Sequence, residues 1–313
     1  RGTLRGNGGR GWIRLGRLAR VPAIPYDSCM SESPGTKLRR MMDSGCVAMP
    51  GAFNGLCARA VAKAGFQACY VSGAATSVCA GVPDVGILTL EHFCRVIREV
   101  ADGSGLPVIA DADTGFGEEE MVRRTVIEYA RAGAAGLHIE DQVFPKRCGH
   151  LDGKELISCE QMCSKVEWAS RAARQGSNTA DQQRSEERGS GFVVCARTDA
   201  RGVAGMEEAV TRARAYVEAG ADMIFPEGLG SEAEFAQFAH AMRGKGARTG
   251  EGHTGPYLLA NMTEFGKTPL IPISKFAAMG YSCVIYPVSM LRVAMGAVER
   301  ALEQLKREGT VEG

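Results

Sequence analysis

The chain has 313 residues, with 37 Lys and Arg against 36 Asp and Glu, a formal net charge of +1 and 45% apolar residues. That length can bury a large core in one domain or two modest ones, and the charge balance gives no reason to expect a nucleic acid or an anionic membrane as partner. No apolar run approaches the roughly 20 residues of a membrane span, and the 11 cysteines, scattered through apolar runs such as 67–72 and 192–198, read as buried thiols in a reducing compartment and not as a disulfide framework.

Residues 1–36 read as a leader. The first 20 hold six arginines and no acid; the first acidic residue is Asp27. Arg-rich, acid-free leaders have the composition of mitochondrial transit sequences, which predicts the mitochondrial matrix. A disordered tail on a cytoplasmic protein is the alternative. From 37 to 313, short β-branched runs alternate with longer amphipathic segments, the pattern of βα units in a single domain. Strands are predicted at 46–49, 68–71, 107–110, 136–139, 192–196, 223–225, 257–260 and 283–286. Helices are predicted at 54–64, 90–101, 118–132, 159–174, 206–218, 232–242, 273–278 and 290–307. Gly65, Gly133, Gly220 and Gly280 stand at or near the ends of such helices, where a left-handed residue stops the turn. About eight units in roughly 250 residues predict a closed (β/α)8 TIM-type barrel. No G-x-G-x-x-G opens a helix after the first strand, which argues against an open doubly wound sheet. Two polar stretches, 175–191 and 243–255, read as solvated loops on the face away from the chemistry.

In such a barrel the chemistry belongs at the C-terminal strand ends, and here those ends are polar. Asp111 and Asp113, two apart and so on one side of a strand, and Glu140 at the next strand's end are candidate ligands for a hard divalent cation. Mg2+ takes one or two carboxylates and keeps its waters. Asp113 with Thr114 also reads as turn or helix-capping chemistry. Arg197 and Arg292 can grip a carboxylate bidentately or pair within the ring of acids. His138 reads as a packed core histidine. Cys159 and Cys163, four apart on a helix, have no second pair of thiols, so packing is favoured over zinc. After the fourth strand comes Lys146-Arg147-Cys148-Gly149-His150. Neighbouring cations lower a thiol's pKa, and glycine lets the segment bend over a ligand. A surface turn with a bystander cysteine is the other reading.

The runs VSGAATSVCAGVPDVGILTL, ADADTGFG, AGAAGLHIEDQVFPKRCGH, ARTDA, YVEAGADMIFPE and LANMTEFGKTPL resemble the isocitrate lyase and phosphoenolpyruvate mutase superfamily, most closely its 2-methylisocitrate lyase branch. The likeness covers residues 37–309. It implies a carbon–carbon lyase that cleaves a small tricarboxylate, 2-methylisocitrate, to pyruvate and succinate in propionate catabolism. Mg2+, or Mn2+ in its place, would be held by Asp111 and Asp113 with Glu140. Ser72, Gly73, Ala74, Gly149, Arg197, Glu227, Asn261, Thr263 and Arg292 would contact substrate. Cys148 would be the catalytic thiol on a mobile loop, with Lys146 and His150 beside it. Tyr70 or Asp84 would take the hydroxyl proton. The resemblance further implies a homotetramer with C-terminal swapped helices, truncated in this chain, and Ala74 departs from the glycine of close relatives. The rival readings are a lyase for isocitrate or dimethylmalate, an oxaloacetate decarboxylase, and a non-catalytic binding or assembly subunit.

Overall fold

Eight short runs of buried, largely β-branched or apolar residues become strands: β1 (Val47–Pro50), β2 (Cys69–Val71), β3 (Val108–Asp111), β4 (Gly136–Glu140), β5 (Val193–Thr198), β6 (Met223–Pro226), β7 (Tyr257–Asn261) and β8 (Cys283–Tyr286). The structure is a computed structural model that describes residues 32–147, 149, 153–175, 191–244, 255–266 and 268–311. The helices are α1 (Pro34–Ser44), α2 (Gly55–Lys63), α3 (Gly73–Cys79), α4 (Leu90–Ser104), α5 (Glu119–Arg131), α6 (Cys159–Gln175), α7 (Ala200–Ala204), α8 (Met206–Glu218), α9 (Glu232–Met242), α10 (Ile273–Met279) and α11 (Ser289–Glu308). The strands pair in parallel in the order β1-β8-β7-β6-β5-β4-β3-β2. The ring closes through a bridge between Gly51 and Tyr70, with the Ala52 amide donating to the Tyr70 carbonyl at 2.9 Å. This is the expected (β/α)8 barrel.

Strand parity sorts the core. Val47, Met49, Tyr70, Ile109, Cys195, Phe225, Leu259 and Ile285 form one buried cluster inside the ring. The alternate residues Val71, Ala110, Leu137, Val194, Ile224, Leu258 and Val284 join a second cluster with the surrounding helices. Successive side chains point to opposite faces of a strand, so one short sequence feeds both layers.

Helix α1 lies outside the predicted elements and begins within the stretch read as leader. Its Leu38 and Met42 belong to the inner cluster. Arg39 donates to the carbonyls of Gly191 (2.9 Å) and Phe192 (3.1 Å) and pairs with Asp222 at 2.8 Å, while the Tyr257 hydroxyl donates to Asp43 at 2.8 Å. Those partners all stand where β5, β6 and β7 start, so α1 plugs the N-terminal end of the barrel and leaves the other end for chemistry. The short helices α3 and α7, also unpredicted, follow directly on strand ends. The polar loops expected at 175–191 and 243–255 lie almost wholly outside the described residues, as do residues 1–31 of the leader.

Met30–Leu291 form one compact unit; the described part of a second is residues 292–311, helical through Glu308. Among the described residues no helix is long and apolar enough to cross a membrane.

Candidate active site

The parity that fills the barrel with apolar side chains continues past them. Two residues beyond Ile109, Cys195, Phe225 and Leu259 come Asp111, Arg197, Glu227 and Asn261, and β4 adds His138 and Glu140. All lie at the C-terminal mouth.

On the β2–β4 side, Asp111 Oδ2 accepts the Gly73 amide at 3.0 Å and Oδ1 accepts the Asp113 amide at 3.0 Å. A Cβ on Gly73 would stand 2.7 Å from Asp111 Oδ2 and 3.2 Å from Asp113 Oδ1, so both carboxyls crowd this glycine. The sequence expectation had the two aspartates on one side of a strand. The strand instead ends at Asp111, and Asp113 turns left-handed at φ 46°. That turn, not strand parity, brings the carboxyls together. Nor does Asp113 cap the following helix, since the N-cap of α5 is Glu118.

Lys146 is only 3% exposed; its ammonium pairs with Asp84 and, at 2.8 Å, with Asp113 Oδ1. The sequence reading set this lysine beside the thiol, whereas its charge lies among the acids. Glu140 is fully buried, and among the described residues neither of its oxygens accepts a hydrogen bond; Arg197 Nη1 faces Oε2 at 3.2 Å. Burial pushes Glu140 well above the usual carboxylate range. Burial and the charge of Asp111 push Asp113 up to about 6. For Asp111 the upward pull of burial is outweighed by His138, Lys146 and Arg197, and its pKa is lowered. A buried carboxylate without donors needs a cation, so this residue set fits a hard divalent ion. Among the described residues no group of three or more His, Cys, Asp or Glu side chains is placed to hold a metal ion; Mg2+ itself usually takes one or two carboxylates and keeps several waters.

His138, read as packed core, is buried but not inert. Its Nε2 is 2.7 Å from the Tyr70 hydroxyl and its Nδ1, 3.7 Å from Asp111 Oδ1, has no hydrogen bond. Burial lowers His138 to about 4, so the imidazole is neutral at physiological pH and its contact with Asp111 is not an ion pair. Burial, reinforced by Asp111, raises Tyr70 well above an ordinary phenol.

The β5–β7 side is built differently. Arg197 donates to Asp199 twice, through Nε at 2.9 Å and Nη2 at 3.1 Å, and its guanidinium lies 5.2 Å from the Phe225 ring centre. Pairing within the ring of acids, one of its two readings, is present. Asp199 also takes the Lys154 ammonium at 2.7 Å, and Lys154 donates to the Gly149 carbonyl at 2.5 Å. A Cβ on Gly149 would meet Arg197 Nη2 at 2.5 Å and Glu227 Cγ at 2.6 Å, so only glycine fits there. Gly149 thus fills the mouth beside the arginine. Asn261 donates to Glu227 Oε2 at 3.1 Å, while its own Oδ1 is buried without a hydrogen-bond partner. Thr263 is buried just past β7.

Ser72 caps α3, its Oγ accepting the Ala75 amide at 3.3 Å, and Ala74 is half-buried in that helix. Arg292 lies on α11 in the second unit. Cys148 and His150 fall outside the described residues. A cavity of about 1410 Å³ opens between α4, α5 and the segment 142–144, lined among others by Leu88, Phe116, Met121 and Phe144. Of the acid cluster, Asp113 lines it. Sequence reasoning missed Lys154 and Asp199. Asp199 was visible as the polar end of ARTDA; Lys154 carried no signal beyond its proximity to the KRCGH segment.

The sequence pattern of the phosphoenolpyruvate phosphomutase family matches residues 38–306. Probable 2-methylisocitrate lyase 1 of Corynebacterium glutamicum is 48% identical over 265 residues, 85% of this chain and 79% of that protein. A crystal structure of 2,3-dimethylmalate lyase, described as a PEP mutase/isocitrate lyase superfamily member, is similar at TM-score 0.79 and 37% identity, covering 90% of this chain and 87% of that one. A phosphonopyruvate hydrolase structure in complex with oxalate and Mg2+ is similar at TM-score 0.72 and 30% identity over 88% of each chain.

Proposed function

This chain belongs to the phosphoenolpyruvate mutase and isocitrate lyase superfamily, and on that premise we propose that it is a Mg2+-dependent carbon–carbon lyase cleaving 2-methylisocitrate to pyruvate and succinate. The observation that supports the site assignment is the buried carboxylate set Asp111, Asp113 and Glu140, in which, among the described residues, Asp113 Oδ1 and both Glu140 oxygens have no hydrogen-bond partner. The substrate assignment draws on the 48% identity to the Corynebacterium glutamicum protein.

Asp111 and Asp113, with Glu140 behind them, would hold Mg2+. When bound, the ion supplies Lewis-acid polarisation of the substrate's hydroxyl and carboxylate oxygens. The hydroxyl proton goes to a base. Asp84 suits that role better than Tyr70, whose own proton is held on by burial. The carbon–carbon bond then breaks, its electrons passing to the succinate fragment while the alkoxide carbon becomes the ketone of pyruvate. Arg197, Asn261 and Thr263 line the mouth where that negative charge develops, and preorganised donors act there without reorganising. Cys148, in sequence between Arg147 and Gly149, donates the proton that completes succinate. Gly149, packed on Arg197 and Glu227, keeps water from the carbanion.

The test is steady-state release of pyruvate from 2-methylisocitrate with Mg2+ and with EDTA, beside isocitrate and 2,3-dimethylmalate. The expected outcome is a higher kcat/KM for 2-methylisocitrate, abolished by EDTA. Release of glyoxylate from isocitrate at higher kcat/KM would transfer the assignment to isocitrate cleavage. No turnover of any of these would leave the binding-subunit reading. The homotetramer rests on the resemblance and is checked by sedimentation. The matrix location rests only on the composition of the leader, and its absence from an import assay would remove it.

A further inference from the structure

Lys146 is the cation at the centre of the acid side. Its ammonium pairs with Asp84 and, at 2.8 Å, with Asp113 Oδ1, and Glu140 and Asp111 also act on it by charge. The side chain is 3% exposed, so water contributes little to its solvation. Burial works against the charge, and the two carboxylates in contact with the ammonium offset it. Among the described residues Asp113 Oδ1 has no other polar partner than this ammonium. One of the two oxygens of a candidate metal ligand is therefore already engaged.

A divalent ion at Asp113 and a lysine ammonium on the same oxygen would be like charges a few ångström apart in a site of low effective dielectric, where repulsion is strong. The backbone near Lys146 cannot give way easily. Gln142 holds Arg147 on both sides, donating from Nε2 to the Arg147 carbonyl and accepting the Arg147 amide on Oε1, each at 2.9 Å. The flexible part is the four-carbon stem of Lys146, and Asp84 offers its ammonium a partner outside the ligand set.

We infer that Lys146 is a resident counter-cation which the metal must displace from Asp113, so that metal affinity is set by an exchange of one cation for another inside the cluster. The inference rests on the magnesium reading above but assigns Lys146 a different task from tuning the thiol. Without metal, Lys146 neutralises the acids and keeps the mouth folded. On metal binding it gives up Asp113 and keeps its contact with Asp84.

The probe is Mn2+ alone, without substrate, titrated at pH 8 and read as free Mn2+ by electron paramagnetic resonance. Lys146→Met keeps the stem and removes the charge; Mn2+ affinity is expected to rise at least about tenfold over wild type. Unchanged or weaker affinity in a folded variant overturns the inference while leaving the magnesium reading intact. If neither protein binds Mn2+, the magnesium reading falls and takes this inference with it. Should Lys146→Met fail to fold, Lys146→Gln carries the same titration with the same expected rise in Mn2+ affinity. Unchanged or weaker affinity in that folded variant overturns the exchange.

Discussion

The two halves of the barrel mouth use the same strand positions and opposite electrostatic strategies. From β5 to β7, the Arg197 guanidinium and the Lys154 ammonium meet on Asp199 through hydrogen bonds of 2.7–3.1 Å, and Asp199 is held below the ordinary carboxylate range despite burial. From β2 to β4, Asp84, Asp111, Asp113 and Glu140 share Lys146, and Asp113 and Glu140 are pushed upward. Satisfied charges rigidify a frame, whereas unsatisfied ones store a demand for a ligand. The contrast teaches that the acid half is the one with a demand for a cation, while the arginine half is held in place by charges it already satisfies.

The largest expected effect separates the reacting group from both halves. Cys148→Ala should lower turnover by roughly 10²–10⁴-fold, the range for removing a positioned proton donor. Mn2+ affinity should not change. Pyruvate release together with Mn2+ titration checks both, and a Cys148→Ala enzyme near wild-type turnover would remove the thiol from the mechanism.

The comparison itself predicts opposite stability effects. Asp199→Asn leaves Arg197 and Lys154 buried against a neutral amide and should cost about 3–5 kcal/mol, as when one partner of a buried pair is removed. Asp113→Asn removes a carboxylate that burial and Asp111 already disfavour, so stability should stay level or rise while metal binding fails. Urea unfolding in EDTA at pH 7.5 reads both. Equal losses would mean that the halves do not differ.

The fold was legible because parallel strands buried on both faces read as short apolar runs, and each helix repeats every 3.6 residues. Helix α1 was not legible: it buries only Gly35, Leu38 and Met42 among Arg and Lys, too narrow a stripe to stand out. Of the site, Asp111, Glu140 and Arg197 were visible as polar ends of apolar runs. The positions of Lys146 and Lys154 were not, since which acid a long side chain reaches depends on how the segment after β4 folds back. His138 was set aside as core because its hydrogen bond to Tyr70 joins residues 68 positions apart.

His138 supplies a test that depends on pH. Burial lowers its pKa to about 4 in the folded chain from an ordinary 6.5. Between those values the unfolded chain binds the extra proton, so stability rises with pH and is lost as pH falls from about 6.5 toward 4. The full shift corresponds to about 3 kcal/mol. Asp113, whose pKa is raised, acts in the opposite sense over an overlapping window, so the informative quantity is the difference between wild type and His138→Gln. The variant should lose less stability than wild type between pH 6.5 and 4.5 in urea titrations without metal. Parallel curves would mean that the imidazole is charged or exposed in the folded state.

The smallest expected effect tests how tightly the acid half is built. Gly73 does not adopt a left-handed backbone, so Gly73→Ala meets no conformational barrier; its cost is space alone. The new methyl would stand 2.7 Å from Asp111 Oδ2, and the contact can be relieved by rotating that carboxylate or by lengthening its 3.0 Å hydrogen bond from the Gly73 amide. Either response disturbs a ligand and leaves the arginine half alone. Overpacking of this kind should cost about 1 kcal/mol in unfolding and weaken Mn2+ binding, with the fold retained. The neighbouring Ala74→Gly change has no carboxylate to relieve and serves as the control for added backbone freedom. If Gly73→Ala weakens Mn2+ binding no more than Ala74→Gly does, the close approach of α3 to Asp111 does not define the metal side, and the acid half owes its demand for a cation to Asp113 and Glu140 instead.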